Sequence, residues 1–317
     1  MGRILVIRGG AIGDFILTLP ALRLLRESFP AAEIEILGYR HIVALAENRF
    51  YAQATRSIEY APLSRFFIPN AELDPELVAY FASFDQVISY LFDPDHFFEN
   101  NLRRCGVKNL LHGSPKIGDQ AHAAFQLAAP MESLALFLDN PAAQLFPTES
   151  DEVEAAQKLA LSSPRVIAIH PGSGGERKCW PIEKWAALAQ WLGENYPDAE
   201  ILVIGGEADG ERLVRIEAAL ASHRHQVLRN VPLPVLAAVL RKCRLFLGHD
   251  SGISHLAAAV EIPCLLLFGP TDPDVWAPRN PKVRVLTAPD GLLFQLPLED
   301  VCLGIQAMLS TGGDDQI

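Results

Sequence analysis

The sequence predicts an α/β chain of two domains, each a Rossmann-like parallel sheet flanked by helices. Three features carry that expectation. Apolar runs too short for helices recur along the chain and end in small polar turns. Stretches with helical spacing of apolar residues follow them, which gives the β-α-β order of parallel sheets. The theme then restarts after Ser162-Ser163-Pro164, so the boundary is placed between residues 1–160 and 161–317. A chain of 317 residues is also long for a single core.

Arg3 to Arg8 has a continuous apolar centre, as a strand buried on both faces should. Gly9-Gly10-Ala11-Ile12-Gly13-Asp14 is a glycine-rich turn. Phe15 to Phe29 follows as a helix with Phe15, Leu19 and Leu22 on one face, stopped by Pro30. Ile34 to Gly38 is the next strand. Beyond it the pattern loosens: Ile42 to Asn48 and Leu73 to Phe84 read as helices, Ser57 to Tyr60 and Gln86 to Tyr90 as strands. Glu149 to Leu161 is a helix leading to the break.

Arg165 to His170 opens the second half as an apolar strand, followed by the glycine-rich loop Pro171 to Lys178. Ile182 to Tyr196 is an amphipathic helix with Trp185, Leu188 and Leu192 inward. Glu200 to Gly206 is a strand and Pro234 to Cys243 a helix. Leu245 to Leu247 is a strand ending at Gly248, His249-Asp250-Ser251-Gly252 a polar turn, and Ile253 to Val260 a small-residue helix. Pro263 to Phe268 is a further strand. Leu298 to Leu309 is a last helix, able to pack back on the first domain, and Ser310 to Ile317 a frayed end.

Composition narrows the function. Half the residues are hydrophobic and 21% are charged, an ordinary globular balance. Net charge is -11, and both halves are acidic, which argues against a nucleic-acid partner held by bulk charge. Five widely spaced cysteines without a Cys-x-x-Cys pair fit reduced cytosolic thiols and give no zinc signature. No signal peptide and no apolar run of about 18 residues is present, so a cytoplasmic protein, at most peripheral on the inner membrane face, is expected.

Several motifs lead away from other chemistries. Gly9-Gly10-Ala11-Ile12-Gly13 falls short of a dinucleotide fingerprint: Arg8 stands where its first glycine belongs, and Gly38-Tyr39 lacks the acidic residue for a ribose. The loop before Lys178 is not a Walker A loop. Asp93-Pro94-Asp95 and Asp272-Pro273-Asp274 look like Asp-x-Asp metal motifs, but Asp-Pro is commoner as turn chemistry, so no metal is expected. Arg103, Arg104, Lys108 and Lys116 cluster in sequence and could bind acceptor phosphates. Trp180 and Trp185 are expected in the core, and His170 as an organiser of its loop.

Ligands of open α/β sheets sit outside the C-terminal ends of the strands. In the second half that rim carries His170-Pro-Gly-Ser173, Gly205-Gly-Glu207, Gly248-His-Asp-Ser-Gly252 and Gly269-Pro-Thr-Asp272. Lys178, the Ser251 and Gly252 amides and the helix starting beside them form an anion site suited to a diphosphate. Glu207, Asp209 or Glu211 could hold a ribose. The equivalent rim of the first half carries Asp14. Two such domains facing each other would put a diphosphate on one wall of a cleft and a carboxylate on the other.

At these residues the chain resembles the lipopolysaccharide heptosyltransferases, glycosyltransferase family 9. The resembling segments are Arg8 to Asp14 with Leu17 to Leu22, His170 to Ser173 with Lys178 to Pro181, Gly248 to Ala259, and Phe268 to Pro273. They run in family order over nearly the whole chain, although residues 40–145 carry no matching motif. Arg229 to Pro234 also lacks the turn expected in the family. The resemblance implies a GT-B fold, with the acceptor bound by the first domain and the donor by the second. It implies inverting, metal-independent transfer of a heptose from an ADP-activated donor to a hydroxyl of a lipid-linked saccharide at the membrane surface, without a cofactor. On that pattern Asp14 is the base, and Lys178 meets the donor diphosphate. Ser173, Asp250, Ser251, Gly252 and His255 complete the donor site, with Arg8 and Gly13 in second rank near the acceptor.

The chemistry is consistent with those roles. A carboxylate beside the acceptor hydroxyl supports in-line attack on the anomeric carbon. The helix dipole favours its ionised form, so it would take the proton late, as the hydroxyl acidifies. Lys178 and fixed amide dipoles can stabilise the departing diphosphate. Closure of the domains would keep water from the activated sugar. Two rival readings keep the fold: transfer from another nucleotide sugar or to another acceptor, and an inactive sugar-nucleotide-binding protein. An NAD-dependent oxidoreductase is disfavoured by the missing ribose carboxylate.

Overall fold

A computed structural model describes residues 2–159 and 163–310. The chain divides into two compact units, Met1–Pro141 and Ala142–Ile317. The expected boundary at 160/161 lies outside the described residues, as does the tail 311–317. The compact division comes earlier because the helix Glu149–Lys158 packs on the helix Leu233–Leu240 of the second unit.

The first unit runs β1 (Arg3–Arg8), α1 (Ile12–Ser28), β2 (Glu33–Gly38), α2 (Arg40–Val43), β3 (Ala54–Ser57), α3 (Pro75–Ala82), β4 (Gln86–Ser89), α4 (Phe97–Arg104), β5 (Leu110–His112) and α5 (Ala123–Ala128). Its sheet has the order β3-β2-β1-β4-β5 and is parallel throughout. Ile4 to Ile7 are fully buried at its centre, as the unbroken apolar run requires. On one face Leu5, Ile7 and Val87 meet Phe66, Phe81 and Phe98.

The second unit runs α6 (Glu149–Lys158), β6 (Val166–Ile169), α7 (Ile182–Asn195), β7 (Glu200–Gly205), α8 (Gly210–Ala219), β8 (His225–Arg229), α9 (Leu233–Leu240), β9 (Leu245–His249), α10 (Gly252–Ala259), β10 (Cys264–Phe268), α11 (Pro273–Trp276), β11 (Val283–Thr287) and α12 (Leu298–Ser310). Six parallel strands take the order β11-β10-β9-β6-β7-β8. Trp185, Leu188 and Leu192 of α7 face its core, as their spacing predicts. The apolar face of α12, with Val301, Cys302 and Ile305, is buried in the second unit's own core.

The helix expected over Ile42 to Asn48 shrinks to the single turn α2, and the strand expected at Ser57 to Tyr60 forms earlier, as β3. No helix among the described residues is long and apolar enough to cross a membrane.

Candidate active site

In a doubly wound sheet the ligand crevice lies where the strand order reverses. In the first unit that point is between β1 and β4. A cavity of about 440 Å³ opens there, lined by Arg8, Gly10, Asp14, Tyr39, Tyr90 and Phe92, among others. Asp14 sits in the first turn of α1. Its Oδ2 accepts the Ala11 N–H at 2.9 Å, so the carboxylate caps its own helix. Gly10 holds φ at +99°, and a Cβ there would stand 2.9 Å from Asp14 Oδ2. The glycine is thus needed both for the turn and for the close approach of the carboxylate. Gly13, half-buried in the same first turn, makes no side-chain contribution.

Arg8 ends β1 and is 4% exposed. Its Nη2 lies 3.7 Å from Asp14 Oδ1, and its Nε donates to Thr18 Oγ1 at 3.0 Å. Thr18 in turn donates to the Asp14 carbonyl at 2.8 Å. The guanidinium also lies over the Tyr90 ring, 5.6 Å from its centroid, and the Tyr90 hydroxyl is anchored on the Leu127 carbonyl at 2.7 Å. Burial lowers the pKa of Arg8, which nonetheless remains cationic and is held against that shift by Asp14. Asp14 is therefore fixed by a buried cation from below and open to the cavity above. Thr18 and Tyr90 were not singled out from the sequence. A polar residue at the i+4 position from Asp14, inside the otherwise apolar run Phe15 to Leu22, was the available signal for Thr18.

In the second unit the strand order reverses between β6 and β9. The turn after β9 and the loop after β6 meet there. Lys178 Nζ lies 2.7 Å from Asp250 Oδ2, and Ser173 Oγ donates to the Asp250 carbonyl at 2.7 Å. His255 Nε2 lies 3.9 Å from Asp250 Oδ1. Ser251 is the N-cap of α10 and accepts the Ser254 N–H at 3.3 Å. The first N–H groups of a helix have no intrahelical acceptor, so Gly252 and Ile253 leave donors at this end. Ser173, Lys178, Asp250, Ser251, Gly252 and His255, scattered in sequence, are thus gathered at the C-terminal ends of the two central strands. Together they offer an ammonium, a hydroxyl and a positive helix end to an anion.

The carboxylates expected near a ribose separate. Asp209 is buried, and its Oδ2 accepts the Gly206 N–H at 2.8 Å. A Cβ on Gly172 would collide with the Asp209 carboxylate, so this side chain buttresses the loop after β6. Glu207 and Glu211 are exposed. His170 is held through Nδ1 to the Ile204 carbonyl at 2.9 Å, and burial lowers its pKa. Trp180 and Trp185 are fully buried, edge-to-face with centroids 5.7 Å apart. Both donate N–H groups to His249, a residue sequence reasoning passed over although it sits inside the motif.

The remaining motifs resolve as turns and surface. Asp93 accepts the Phe98 and Glu99 N–H groups at the start of α4, and Asp272 caps α11. In the basic cluster of Arg103, Arg104, Lys108 and Lys116, three side chains have these contacts. Arg103 pairs with Glu99, Arg104 bonds the Ala71 carbonyl, and Lys116 lies 4.7 Å from the centroid of Phe92.

With this geometry in place, comparison with known proteins is decisive. A model of glycosyltransferase family 9 (heptosyltransferase) matches residues 114–292, more than half of the chain. The chain belongs to glycosyltransferase family 9. A lipopolysaccharide heptosyltransferase 2 from Salmonella typhimurium is 33% identical over 150 residues, covering 45% of this chain and 42% of that protein. The matched stretch thus spans less than half the length of this curated relative. The solved ADP-heptose lipopolysaccharide heptosyltransferase II of E. coli superposes with a TM-score of 0.78 at 20% identity, covering 98% of this chain and 99% of that one. E. coli heptosyltransferase WaaC, solved with ADP, gives 0.70 at 18% identity over 97% and 98%. The two parallel-sheet domains of this family 9 glycosyltransferase have the GT-B fold.

Proposed function

We propose that this family 9 glycosyltransferase moves a heptose from an ADP-activated donor to a hydroxyl of a lipopolysaccharide core saccharide, with inversion and without a metal. The observation that carries the reading is the donor-type anion site at the β6/β9 reversal. A lysine, a serine and a helix start converge there, inside the region matched by the family model. The names of the relatives add the nucleotide and the sugar: one structure is of an ADP-heptose enzyme and another holds ADP.

In this reading Asp14 accepts the proton of the acceptor hydroxyl as its oxygen attacks the anomeric carbon of the donor. The bond from that carbon to the β-phosphate oxygen breaks, and its electron pair leaves with ADP. Attack from the face opposite the leaving group inverts the centre. Lys178, released from Asp250, and the amides of α10 take up the charge that develops on the diphosphate. This is the task a divalent ion performs in other transferases. Arg8 and Thr18 hold Asp14 in place. Glu207, the exposed carboxylate after β7, is assigned to the ribose, since Asp209 is already engaged. The first unit takes the acceptor in the cavity beside Asp14.

The test is transfer from ADP-heptose to a heptose-deficient lipopolysaccharide core in the presence of EDTA. Product of inverted configuration, lost with Asp14→Asn, supports the reading. Transfer only from another nucleotide sugar, or none, would remove the heptose assignment.

A further inference from the structure

We propose that His249 is a positioning residue of the donor site, a single imidazole that closes both ends of the loop carrying Ser173 and Lys178. The inference rests on the donor-site reading above. The loop in question is 172–180, after β6. At one end the Gly172 carbonyl lies 3.3 Å from His249 Nδ1. At the other end the Trp180 backbone N–H donates to His249 Nε2 at 2.8 Å. Trp185 Nε1, from α7, donates to the same nitrogen at 3.1 Å. The ring is 0% exposed and stands edge-on to Trp185, with centroids 5.2 Å apart and planes at 89°.

The pattern fixes the tautomer. A nitrogen that accepts two N–H groups carries no proton, so Nδ1 holds it and donates to Gly172. An imidazole is suited to this because its two nitrogens point opposite ways from a rigid ring, one a donor and one an acceptor. His249 is also the last residue of β9, adjacent to Asp250, which receives Lys178 and Ser173. Strand end, loop start and loop end therefore share one side chain. His170, Arg212 and Asp250 are the titratable groups that face it, and burial pushes its pKa down to about 3, so the neutral form is the resident one. His249 touches no substrate in this scheme. It acts by fixing where Lys178 and Ser173 stand.

The experiment is a double-mutant cycle on ADP binding, measured by calorimetry in the full chain with His249→Phe, Lys178→Ala and the pair. His249→Phe keeps a ring but offers no nitrogen. The expected result is an ADP affinity lowered by about tenfold in His249→Phe, and a double variant that binds no more weakly than Lys178→Ala alone. His249→Gln, whose amide oxygen can still accept the Trp180 N–H, should recover part of the affinity. A purely structural role would instead give losses that add. Additive losses, or unchanged binding in His249→Phe while Lys178→Ala abolishes it, would overturn the inference alone. Failure of the wild type to bind ADP would sink the donor reading itself, and this inference with it. Should His249→Phe not fold, the ¹⁵N spectrum of histidine-labelled wild type decides at pH 7. A protonated Nδ1 and bare Nε2 are expected, and a protonated Nε2 would overturn the assignment.

Discussion

Asp14 and Lys178 are prepared in opposite ways. Asp14 is half-exposed, capped onto the Ala11 N–H and backed by the buried Arg8 guanidinium. Lys178 is instead paired with a buried carboxylate, Asp250, which the diphosphate of the proposed donor would displace. Asp14→Asn should lower transfer by about 10²–10⁴-fold, the usual contribution of a positioned base, and leave ADP affinity unchanged. Parallel steady-state and calorimetric assays check both halves of that statement. His249 adds a pH dependence that can be isolated. Its folded pKa is depressed by burial to about 3 from an ordinary 6.5. Between those values the unfolded chain binds the extra proton, so stability is full above about pH 6.5 and falls as the pH drops toward 3. At pH 5 the loss is about 2 kcal/mol. Urea unfolding at pH 7.5 and 5 should show that acid sensitivity in the wild type and a smaller one in His249→Gln. Equal sensitivity would mean that the ring is not held neutral.

The elements explain which parts of this site could be read from the chain. β1, β6, β7, β9 and β10 have apolar centres because both faces of a parallel sheet are covered, and the turns that follow β1, β6 and β9 carry the candidate site. The Gly10–Asp14 turn, Lys178 and the Asp250–Ser251 turn were all legible for that reason. Edge elements were not. β8 and β11 have half-buried, mixed sequences, and β5 has only three residues, so no apolar run marks them. The support of the site was legible only in part. Arg8 stands beside Asp14 in the sequence motif, but Thr18 and Tyr90 join it only once β1, α1 and β4 are packed, and His249 gains its meaning from a loop far away in sequence. Two substitutions test the element scale. Gly10→Ala, forced into positive φ beside Asp14, should cost roughly 1–3 kcal/mol and impair transfer while ADP still binds. Thr148→Ala removes the capping box of α6 and should cost about 1 kcal/mol with no effect on transfer. Denaturation midpoints and transfer rates for the two variants separate a site turn from a structural cap.

At the scale of the whole molecule, the family match begins near the end of the first unit and covers most of the second. In the proposed reading the second unit supplies the diphosphate site, while the first unit's cavity joins Arg8, Gly10 and Asp14 to side chains such as Tyr39, Phe67 and Phe92 that lie outside the sequence motifs. In the proposed reaction the second unit holds ADP through Lys178 without help from a metal ion. The most direct measurement is thermal unfolding of wild type and Lys178→Ala with ADP, UDP or GDP, each in EDTA. At about 100 times its dissociation constant, a ligand stabilises by roughly 2.7 kcal/mol, a readily measured shift. ADP alone should stabilise the wild type, EDTA should leave the effect intact, and Lys178→Ala should abolish it. Stabilisation by UDP or GDP instead, loss of the ADP effect in EDTA, or an undiminished effect in Lys178→Ala would contradict it.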